Sequence, residues 1–292
     1  MPALPGPAMA ERPDSVDLLG RSDFARVAKF IETTTGIKVP PGKKTMVEGR
    51  LRRRARALGC ANLYDYCQLV FEQGGFDAEA VHLIDAVTTN KTDFYREPSH
   101  FTYLTAHSLP EATAEGGGSR RPYKVWSAAC SIGAEPYTLA MVMADYGAST
   151  GGPWEFSILA TDISTAVLAK AARAVFPEDM IEPVPYEVRK RYLLRSRDKS
   201  RKQVRIGPEL RRTVTFQHLN LMDERYPVDR DFDAIFCRNL LIYFEKATQE
   251  AVVGRLCRHL RPGGYLFLGH AESLAGKDHP LEWLGDAIFR RA

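Results

Sequence analysis

The sequence predicts a doubly wound parallel α/β sheet that follows a small all-α region. Beyond about residue 121, five short apolar runs have the continuous hydrophobicity of strands buried on both faces. Helical segments at residues 135–146, 165–174 and 246–260 lie between these runs. Because strands that alternate with helices form parallel sheets covered on both faces, the second part of the chain is assigned to this fold class.

The first part of the chain, from about residue 23 to 82, has helical periodicity and no convincing strand. Four helices are predicted there, at residues 22–36, 43–59, 62–75 and 77–90. Asn62 is the expected cap of the third helix, and glycines end the first three. Residues 21–90 are therefore predicted to form a helical domain, and residues 1–20 a disordered tail.

The predicted strands of the second domain, residues 91–292, follow in order along the chain. They are 123–130, 156–163, 213–221, 232–239 and 264–270. Residues 111–121, EATAEGGGSRR, have the composition of a flexible linker or loop. The alternation breaks over residues 176–212, which are rich in proline and then basic. We expect this segment to be an inserted subdomain at the sheet edge.

Composition excludes several classes of protein. A chain of 292 residues, 45% hydrophobic and 26% charged, suits one large domain or two smaller ones. A net charge of +4 is too small to argue for nucleic-acid binding, and no apolar run approaches the roughly 20 residues of a membrane span. The N-terminus lacks a signal-peptide pattern and the five cysteines lack metal-site spacing, so we predict a cytoplasmic protein with reduced thiols and no metal.

Acidic residues follow the first two predicted strands. In WSAACSIGAEP, the single glycine Gly133 precedes Glu135 in the first turn of a helix. A dinucleotide site would have three glycines and no acid beside the phosphates, so Glu135 indicates a ligand that is cationic here. The alternative is a glutamate that stabilises the helix dipole. Asp162, in ATDIS, lies where an acid commonly binds ribose hydroxyls, or it can cap the next helix.

Asparagines follow two later strands. Asn220 and Asn239 can each hydrogen-bond a heterocycle or an amino-acid backbone, although a single asparagine is more often a turn residue. Taken with the two acids, they indicate an adenosine-type ligand with a positive charge and no phosphate, such as S-adenosylmethionine. Before the sheet, TTNKTDFYRE contains Arg96, which can clamp a carboxylate through two hydrogen bonds or lie on the surface.

Five motifs together resemble the chemotaxis receptor methyltransferases, the CheR family. They are TTNKTDFYRE, WSAACSIGAEPYTLAM, ATDIS, FDAIFCRNLLIYF and LRPGGYLFLGHAESL, and the resemblance covers nearly the whole chain from about residue 22. The resemblance implies a Rossmann-like class I methyltransferase sheet with a small inserted β-subdomain. It also implies S-adenosylmethionine-dependent methylation of glutamate side chains on the cytoplasmic domain of chemoreceptors, giving methyl esters in sensory adaptation.

The site residues are likewise implied by the resemblance. The cofactor pocket is expected to contain Asn90, Thr92, Arg96, Ala129, Glu135, Asp162, Ile163, Asn220, Leu221, Asn239 and Leu240, with S-adenosylhomocysteine as the product. Arg96 and Tyr243 are expected near the transferred methyl group as catalytic residues. Because a glutamate carboxylate, with a pKa of about 4.3, is already ionised at neutral pH, the transfer needs placement and desolvation rather than a general base.

The basic second helix has an expected use in binding the receptor. An acidic receptor helix is expected to dock on Lys43, Lys44, Arg50, Arg53 and Arg54, although a solvated helix face is the alternative. Two positions depart from the family pattern. Ala134 replaces the first of two acids after the glycine, and the insertion has no glycine before Gly207, so capture of a receptor C-terminal pentapeptide is not expected.

Two alternative functions stay open from the sequence, a methyltransferase that acts on another protein and a cofactor-sensing signalling module without catalysis. The retention of Arg96 and Tyr243 argues against the second. The chain is expected to be a monomer that does not insert into membranes.

Overall fold

The computed structural model describes residues 17–88, 91–198, 200–274 and 279–292. The chain divides into a helical unit, Met1–Ile31 with Val39–Val87, and a sheet unit, Glu32–Lys38 with Thr88–Ala292. The predicted domain boundary at residue 90 therefore lies close to the division at Val87, but residues 32–38 belong with the sheet unit.

All four predicted helices of the first domain are present. They are α1 (Arg21–Thr35), α2 (Lys44–Ala57), α3 (Leu63–Phe71) and α4 (Phe76–Val87). The side chain of Asn62 accepts the backbone N–H of Asp65 at 2.8 Å, as expected of the cap of α3. In the helical unit the apolar faces of these helices bury Val27, Val47, Leu51, Leu63 and Leu83 completely.

Residues 17–20 differ from the predicted tail. Leu19 is buried, and its backbone N–H donates to the carboxylate of Glu48 at 2.9 Å. The carboxylate of Asp17 accepts the backbone N–H of Leu63 at 2.7 Å. These residues are part of the helical unit because they hydrogen-bond to its helices; residues 1–16 of the predicted tail lie outside the described residues.

The strands of the sheet unit form two sheets. The strands are β1 (Tyr123–Ala128), β2 (Phe156–Asp162), β3 (Val175–Pro177), β4 (Leu193–Arg195), β5 (Gln203–Ile206), β6 (Val214–His218), β7 (Phe232–Cys237), β8 (Leu260–Leu268), β9 (Leu281–Gly285) and β10 (Ile288–Arg291). The helices are α5 (Pro98–Tyr103), α6 (Leu109–Ala114), α7 (Ala134–Ser149), α8 (Thr165–Arg173), α9 (Tyr186–Tyr192), α10 (Pro208–Arg211) and α11 (Lys246–Cys257).

The larger sheet has the strand order β6-β2-β1-β7-β8-β10-β9. The first five strands of this order pair in parallel, which confirms the predicted doubly wound fold. The chain runs outward from β1 through β2 to β6 and then returns to β7 on the other side of β1. The order therefore reverses between β1 and β7, where doubly wound sheets open a crevice at the carboxyl ends of their strands.

Several elements differ from the prediction. Residues 109–114, most of them within or beside the predicted linker, form α6, because Leu109 and Ala112 are buried on one face. The helix predicted over 246–260 ends at Cys257, since Leu260 already pairs with Phe232 as the first residue of β8. The antiparallel strands β9 and β10, which extend the sheet, were not predicted.

The insertion predicted over 176–212 is a three-stranded antiparallel sheet of order β3-β5-β4 with α9 beside it. Phe176, Val204 and Ile206 are buried beneath it, and the ring of Phe176 packs edge-on against Phe94 at 4.9 Å. The cationic second half of the segment therefore contributes the edge strand β4 and the central strand β5 of a small subdomain.

Within the described residues, none of the helices has both the length and the apolar composition that a bilayer crossing requires.

Candidate functional site

The loop after β1 has an unusual backbone. Ala129, Ser131 and Gly133 all have positive φ, at 62°, 52° and 95°. A Cβ at Gly133 would also meet the Cβ of Ala171 at 3.0 Å, so this position requires glycine. The loop turns the backbone N–H of Ser131 toward Asp162 at the end of β2, where it donates to the carboxylate at 2.9 Å.

Glu135 lies in the first turn of α7 and is buried. One carboxylate oxygen accepts the hydroxyl of Ser127 at 2.7 Å, and the other accepts Nε of Arg238 at 2.7 Å. Its partners thus come from β1 and from the end of β7, not from the N-terminal N–H groups of its own helix. A dipole-stabilising role alone does not account for this arrangement.

Arg238 was missed by the sequence reasoning. Its side chain is only 3% exposed, and Nη1 donates to the backbone carbonyl of Arg96 at 2.7 Å. The same nitrogen lies 3.4 Å from the carboxylate of Glu97, and the guanidinium lies over the rings of Phe101 and Phe236. The sequence contained one signal for it, an arginine directly after a buried strand in FCRN. A cation at such a position is rarely buried unless it is paired with an acid.

Arg238 also has a histidine beside it. Glu97, His100 and His270 place three potential metal-ligand atoms within 4.8 Å of one another. Nε2 of His100, however, donates to the carbonyl of Asp286 at 2.7 Å, which leaves Nδ1 as the acceptor for Arg238 at 3.2 Å. Burial lowers the pKa of His100, so its neutral form is favoured. The guanidinium therefore supplies the positive charge at this cluster, and the absence of a metal stays a prediction.

Asp162 links two loops. One carboxylate oxygen accepts the N–H of Ser131 and the other accepts the N–H of Ser164, both at 2.9 Å. The hydroxyl of Ser164, not Asp162, caps α8 by accepting the N–H of Val167 at 3.2 Å. Ile163, between the two, is partly exposed. Asp162 is thus a buried acid at the carboxyl end of β2, with the capping role taken by its neighbour.

The side chain of Asn220 forms hydrogen bonds with backbone groups of the sheet unit. Its carboxamide oxygen accepts the N–H of Met222 at 2.9 Å, and its nitrogen donates to the carbonyl of Thr34 at 2.7 Å. The turn interpretation of this residue therefore holds, and Leu221 beside it is buried. Residues 32–38, which the sequence assigned to the helical domain, pass here because Gly36 fits closely against Met222 and Phe244.

The loop after β7 carries the remaining predicted residues. Asn239 has a φ of 58°, and its carboxamide donates to the carboxylate of Glu97 at 3.0 Å. Leu240 precedes a 3₁₀ turn, Leu241–Tyr243, in which Tyr243 is partly exposed. The carbonyl of Tyr243 accepts the N–H of Lys38 at 3.3 Å. Through Glu97 and Arg238, this loop connects to Glu135.

Arg96 lies between two non-glycine residues of positive φ, Tyr95 and Glu97. Its guanidinium donates to the carbonyl of Lys91 at 3.1 Å. Its backbone carbonyl accepts a hydrogen bond from Arg238, which also contacts Glu135 and Glu97. Thr92 is partly exposed, and Asn90 lies outside the described residues.

Two of the predicted docking cations have structural partners in the helical unit. Arg54 donates to both carboxylate oxygens of the buried Glu79, at 2.8 and 2.6 Å. Arg50 donates to the carbonyls of Ala86 and Val87, each at 3.1 Å.

The other predicted docking cations differ in exposure. Lys44 lies 3.7 Å from Glu48, Lys43 is partly exposed and Arg53 is exposed. Arg53 is thus the member of the set most available to a partner.

Comparisons with known proteins agree with the resemblance. The family model of the CheR methyltransferase SAM-binding domain matches residues 90–288, and that of the CheR all-alpha domain matches residues 22–88. The chain is similar to the chemotaxis protein methyltransferase of Borreliella burgdorferi, with 34% identity over 93% of this chain and 94% of the relative.

Two further relatives have the same name. The protein of Escherichia coli is 35% identical over 93% of this chain and 91% of its own, and that of Klebsiella aerogenes is 38% identical over 97% and 94%. The predicted fold class and cofactor are confirmed by these matches. The chain belongs to the CheR family, the S-adenosylmethionine-dependent methyltransferases of chemotaxis.

Proposed function

We propose that the chain transfers the methyl group of S-adenosylmethionine to glutamate side chains on the cytoplasmic domain of chemoreceptors. The observation that carries the proposal is a surplus of buried and partly buried acid at the point where the strand order reverses. Glu135 and Glu97 both face Arg238, so the acids outnumber the guanidinium by one. An ammonium group balances that charge, whereas a pyrophosphate is repelled by it.

The residues fit S-adenosylmethionine in other respects. Glu135 is proposed to bind the methionine ammonium, and Asp162 the ribose hydroxyls, since each carboxylate oxygen can accept a further hydrogen bond. The remaining pocket residues are proposed to be Asn90, Thr92, Arg96, Ala129, Ile163, Asn220, Leu221, Asn239 and Leu240. The carboxamide nitrogens of the two asparagines are occupied by Thr34 and Glu97, so we infer that backbone groups and carboxamide oxygens face the ligand there.

Methyl transfer to a carboxylate requires no proton transfer by the protein. S-adenosylmethionine, when bound, supplies the methyl group on a sulfonium. Arg96 is proposed to hold the receptor carboxylate, and Tyr243 to orient it. Both residues would hold the receptor carboxylate in line with the methyl group and exclude water from it. No general base is required, because the carboxylate is already ionised.

The helical unit is proposed to bind the acidic receptor helix. Exposed cations accelerate association with an acidic partner and do so more strongly at low salt. Arg53 is the exposed cation on which this proposal depends most, and the partly exposed Lys43 and Lys44 lie at the start of the same helix. The predicted cytoplasmic location and monomeric state stay predictions.

Transfer of label from methyl-labelled S-adenosylmethionine to a chemoreceptor cytoplasmic fragment tests the proposal. Mild base should then release the label as volatile methanol, as expected of a carboxyl methyl ester. Base-stable label would indicate N-methylation and a different substrate class. No transfer, with S-adenosylhomocysteine binding intact by calorimetry, would contradict the proposal for that receptor.

A further inference from the structure

Glu272, in the segment after β8, is a buried carboxylate that the sequence reasoning did not consider. It accepts three backbone N–H groups, from Gly269 at 2.6 Å, Asn239 at 3.0 Å and Ile242 at 3.3 Å. The last two belong to residues 239–243, here called the 239–243 loop. Burial raises the pKa of Glu272, while the backbone N–H groups oppose that rise because they favour the charged form.

The 239–243 loop is held from two sides. The backbone N–H of Asn239 donates to Glu272, and its carboxamide donates to Glu97. Asn239 has a positive φ, a conformation that costs a non-glycine residue about 1 kcal/mol and persists only where the surroundings impose it. The two carboxylates provide that constraint.

Gly269 presses against the same loop. A Cβ at this position would lie 2.5 Å from the carboxamide nitrogen of Asn239 and 2.8 Å from its backbone nitrogen. The close approach allows Glu272, three residues later, to reach the loop backbone. The end of β8 therefore determines where Asn239 and, four residues on, Tyr243 lie.

We propose that Glu272 is a positioning residue for methyl transfer, which fixes the 239–243 loop and thereby the ring of Tyr243. The inference rests on the proposed function, in which Tyr243 orients the receptor carboxylate. A small misplacement of a group that orients a reactant can cost about 100-fold in rate, so a loosened loop should lower kcat more than it changes substrate affinity.

A double-mutant cycle tests the inference. The variants are Glu272→Gln, Tyr243→Phe and their combination, with Glu250→Gln, an exposed glutamate on α11, as the control. Glu272→Gln keeps the shape but replaces one acceptor oxygen by a donor that faces backbone N–H groups. Receptor labelling gives kcat and KM. Calorimetry with S-adenosylhomocysteine measures cofactor-site affinity, and thermal unfolding shows whether each variant is folded.

The expected result is a loss in kcat of about tenfold or more in each single variant, with KM for the receptor within about twofold. If Glu272 acts through Tyr243, the double variant should be no more than about threefold slower than the slower single variant. The inference would be overturned if the fold-losses in kcat of the two single variants multiply in the double variant. It would also be overturned by an unchanged kcat in either single variant. A wild-type chain that labels no receptor would overturn the proposed function, and the inference with it.

Gly269→Ala provides a second route if Glu272→Gln does not fold. The added methyl group would lie 2.5 Å from the carboxamide nitrogen of Asn239 and 3.0 Å from Oε2 of Glu272, so it displaces the loop while both side chains keep their chemistry. Its cycle with Tyr243→Phe should also be non-additive. If the fold-losses in kcat multiply in this cycle, the result would contradict the role of the 239–243 loop.

Discussion

Arg238 is a buried cation that joins groups from two other segments of the chain. It binds Glu135 on α7, the carbonyl of Arg96 and Glu97 before α5. A guanidinium is suited to this position because its five donors lie in a fixed plane and it stays charged. The arrangement holds the carboxylate of Glu135 in one orientation before any ligand arrives, so the ammonium that we propose to bind there would meet an ordered partner.

At Glu135 this leads to a prediction about ligand affinity. Glu135→Gln should weaken S-adenosylhomocysteine binding about tenfold or more, since a hydrogen bond to a charged group contributes ~1.5–3 kcal/mol. 5′-Methylthioadenosine lacks the ammonium and should bind both proteins alike. Calorimetry with the two ligands measures the difference, with the exposed Glu155→Gln as control. An equal loss for both ligands would show that the variant damages the pocket as a whole.

Helix α2 has cations of two kinds. Arg54 forms a bidentate ion pair with Glu79, whose side chain is 5% exposed and also accepts the hydroxyl of Tyr66 at 3.1 Å. Arg53, one residue earlier, is exposed. Neighbours on a helix face different directions, so a run of basic residues in the sequence divides into structural and available charges.

The Arg54–Glu79 pair makes the stability of the helical unit depend on pH. Burial tends to raise the pKa of Glu79, but the hydrogen bonds and charge of Arg54 hold it below its ordinary value of 4.5. A carboxyl whose pKa is lowered by folding stabilises the fold above its unfolded pKa, and this contribution is lost as the pH falls. The wild-type chain should therefore lose stability below about pH 4.5.

Arg54→Met tests this assignment. At pH 7 the variant should lose about 2–3 kcal/mol, somewhat less than the cost of breaking a fully buried pair because Arg54 is partly exposed. Its acid sensitivity should diminish, since burial then favours the protonated Glu79. Denaturant unfolding at pH 7 and pH 4 measures both effects, with Arg56→Met on the exposed side as control. The same pH dependence in both proteins would exclude Glu79 as its source.

A separate prediction concerns the exposed cation of α2. Arg53→Glu should slow receptor methylation about 3- to 10-fold at low salt, with a smaller difference at high salt, because steering between exposed charges is screened. Affinity for S-adenosylhomocysteine should not change. Lys29→Glu, the same charge reversal at an exposed position on α1, is the matched control. If both variants slow the reaction equally, the effect is one of net charge and not of docking on α2.

Across the whole sheet unit, Asp233 on β7 joins distant parts of the chain. It is 1% exposed and accepts Arg121 through two hydrogen bonds, at 2.7 and 2.6 Å. It also accepts the backbone N–H of Lys124 at 2.8 Å and Nε of Arg261 at 2.7 Å. The entry to β1, the middle of the sheet and the start of β8 thus depend on one carboxylate.

Asp233→Asn should destabilise the sheet unit by about 3 kcal/mol, because a buried oxygen that accepts hydrogen bonds from Arg121, Arg261 or the backbone of Lys124 is replaced by a donor. For a unit of this size the melting temperature should fall by about 6–12 °C. KM for S-adenosylmethionine should be unchanged below the transition, since Asp233 touches none of the proposed pocket residues. Asp229→Asn, which breaks an exposed pair with Lys124, should shift the melting temperature little. A comparable shift in both variants would contradict the central role of Asp233.

The local elements could be read from the sequence because their signals are local. Four N-terminal helices, the five parallel strands and the cap at Asn62 follow from periodicity, continuous hydrophobicity and one side chain. The acids Glu135 and Asp162 could be predicted as site residues because parallel strands bring their carboxyl ends to one edge. The family and its cofactor followed from motifs in the same segments.

Only the tertiary structure decided which side chains meet. That Arg238 binds Glu135 and Glu97, that Glu272 holds the 239–243 loop, and that residues 32–38 join the sheet unit all depend on contacts between residues far apart in sequence. The same holds for the division of α2 into structural and exposed cations. A sequence specifies which residues can ionise or donate, but burial removes water as the alternative partner, and so the fold selects the partner.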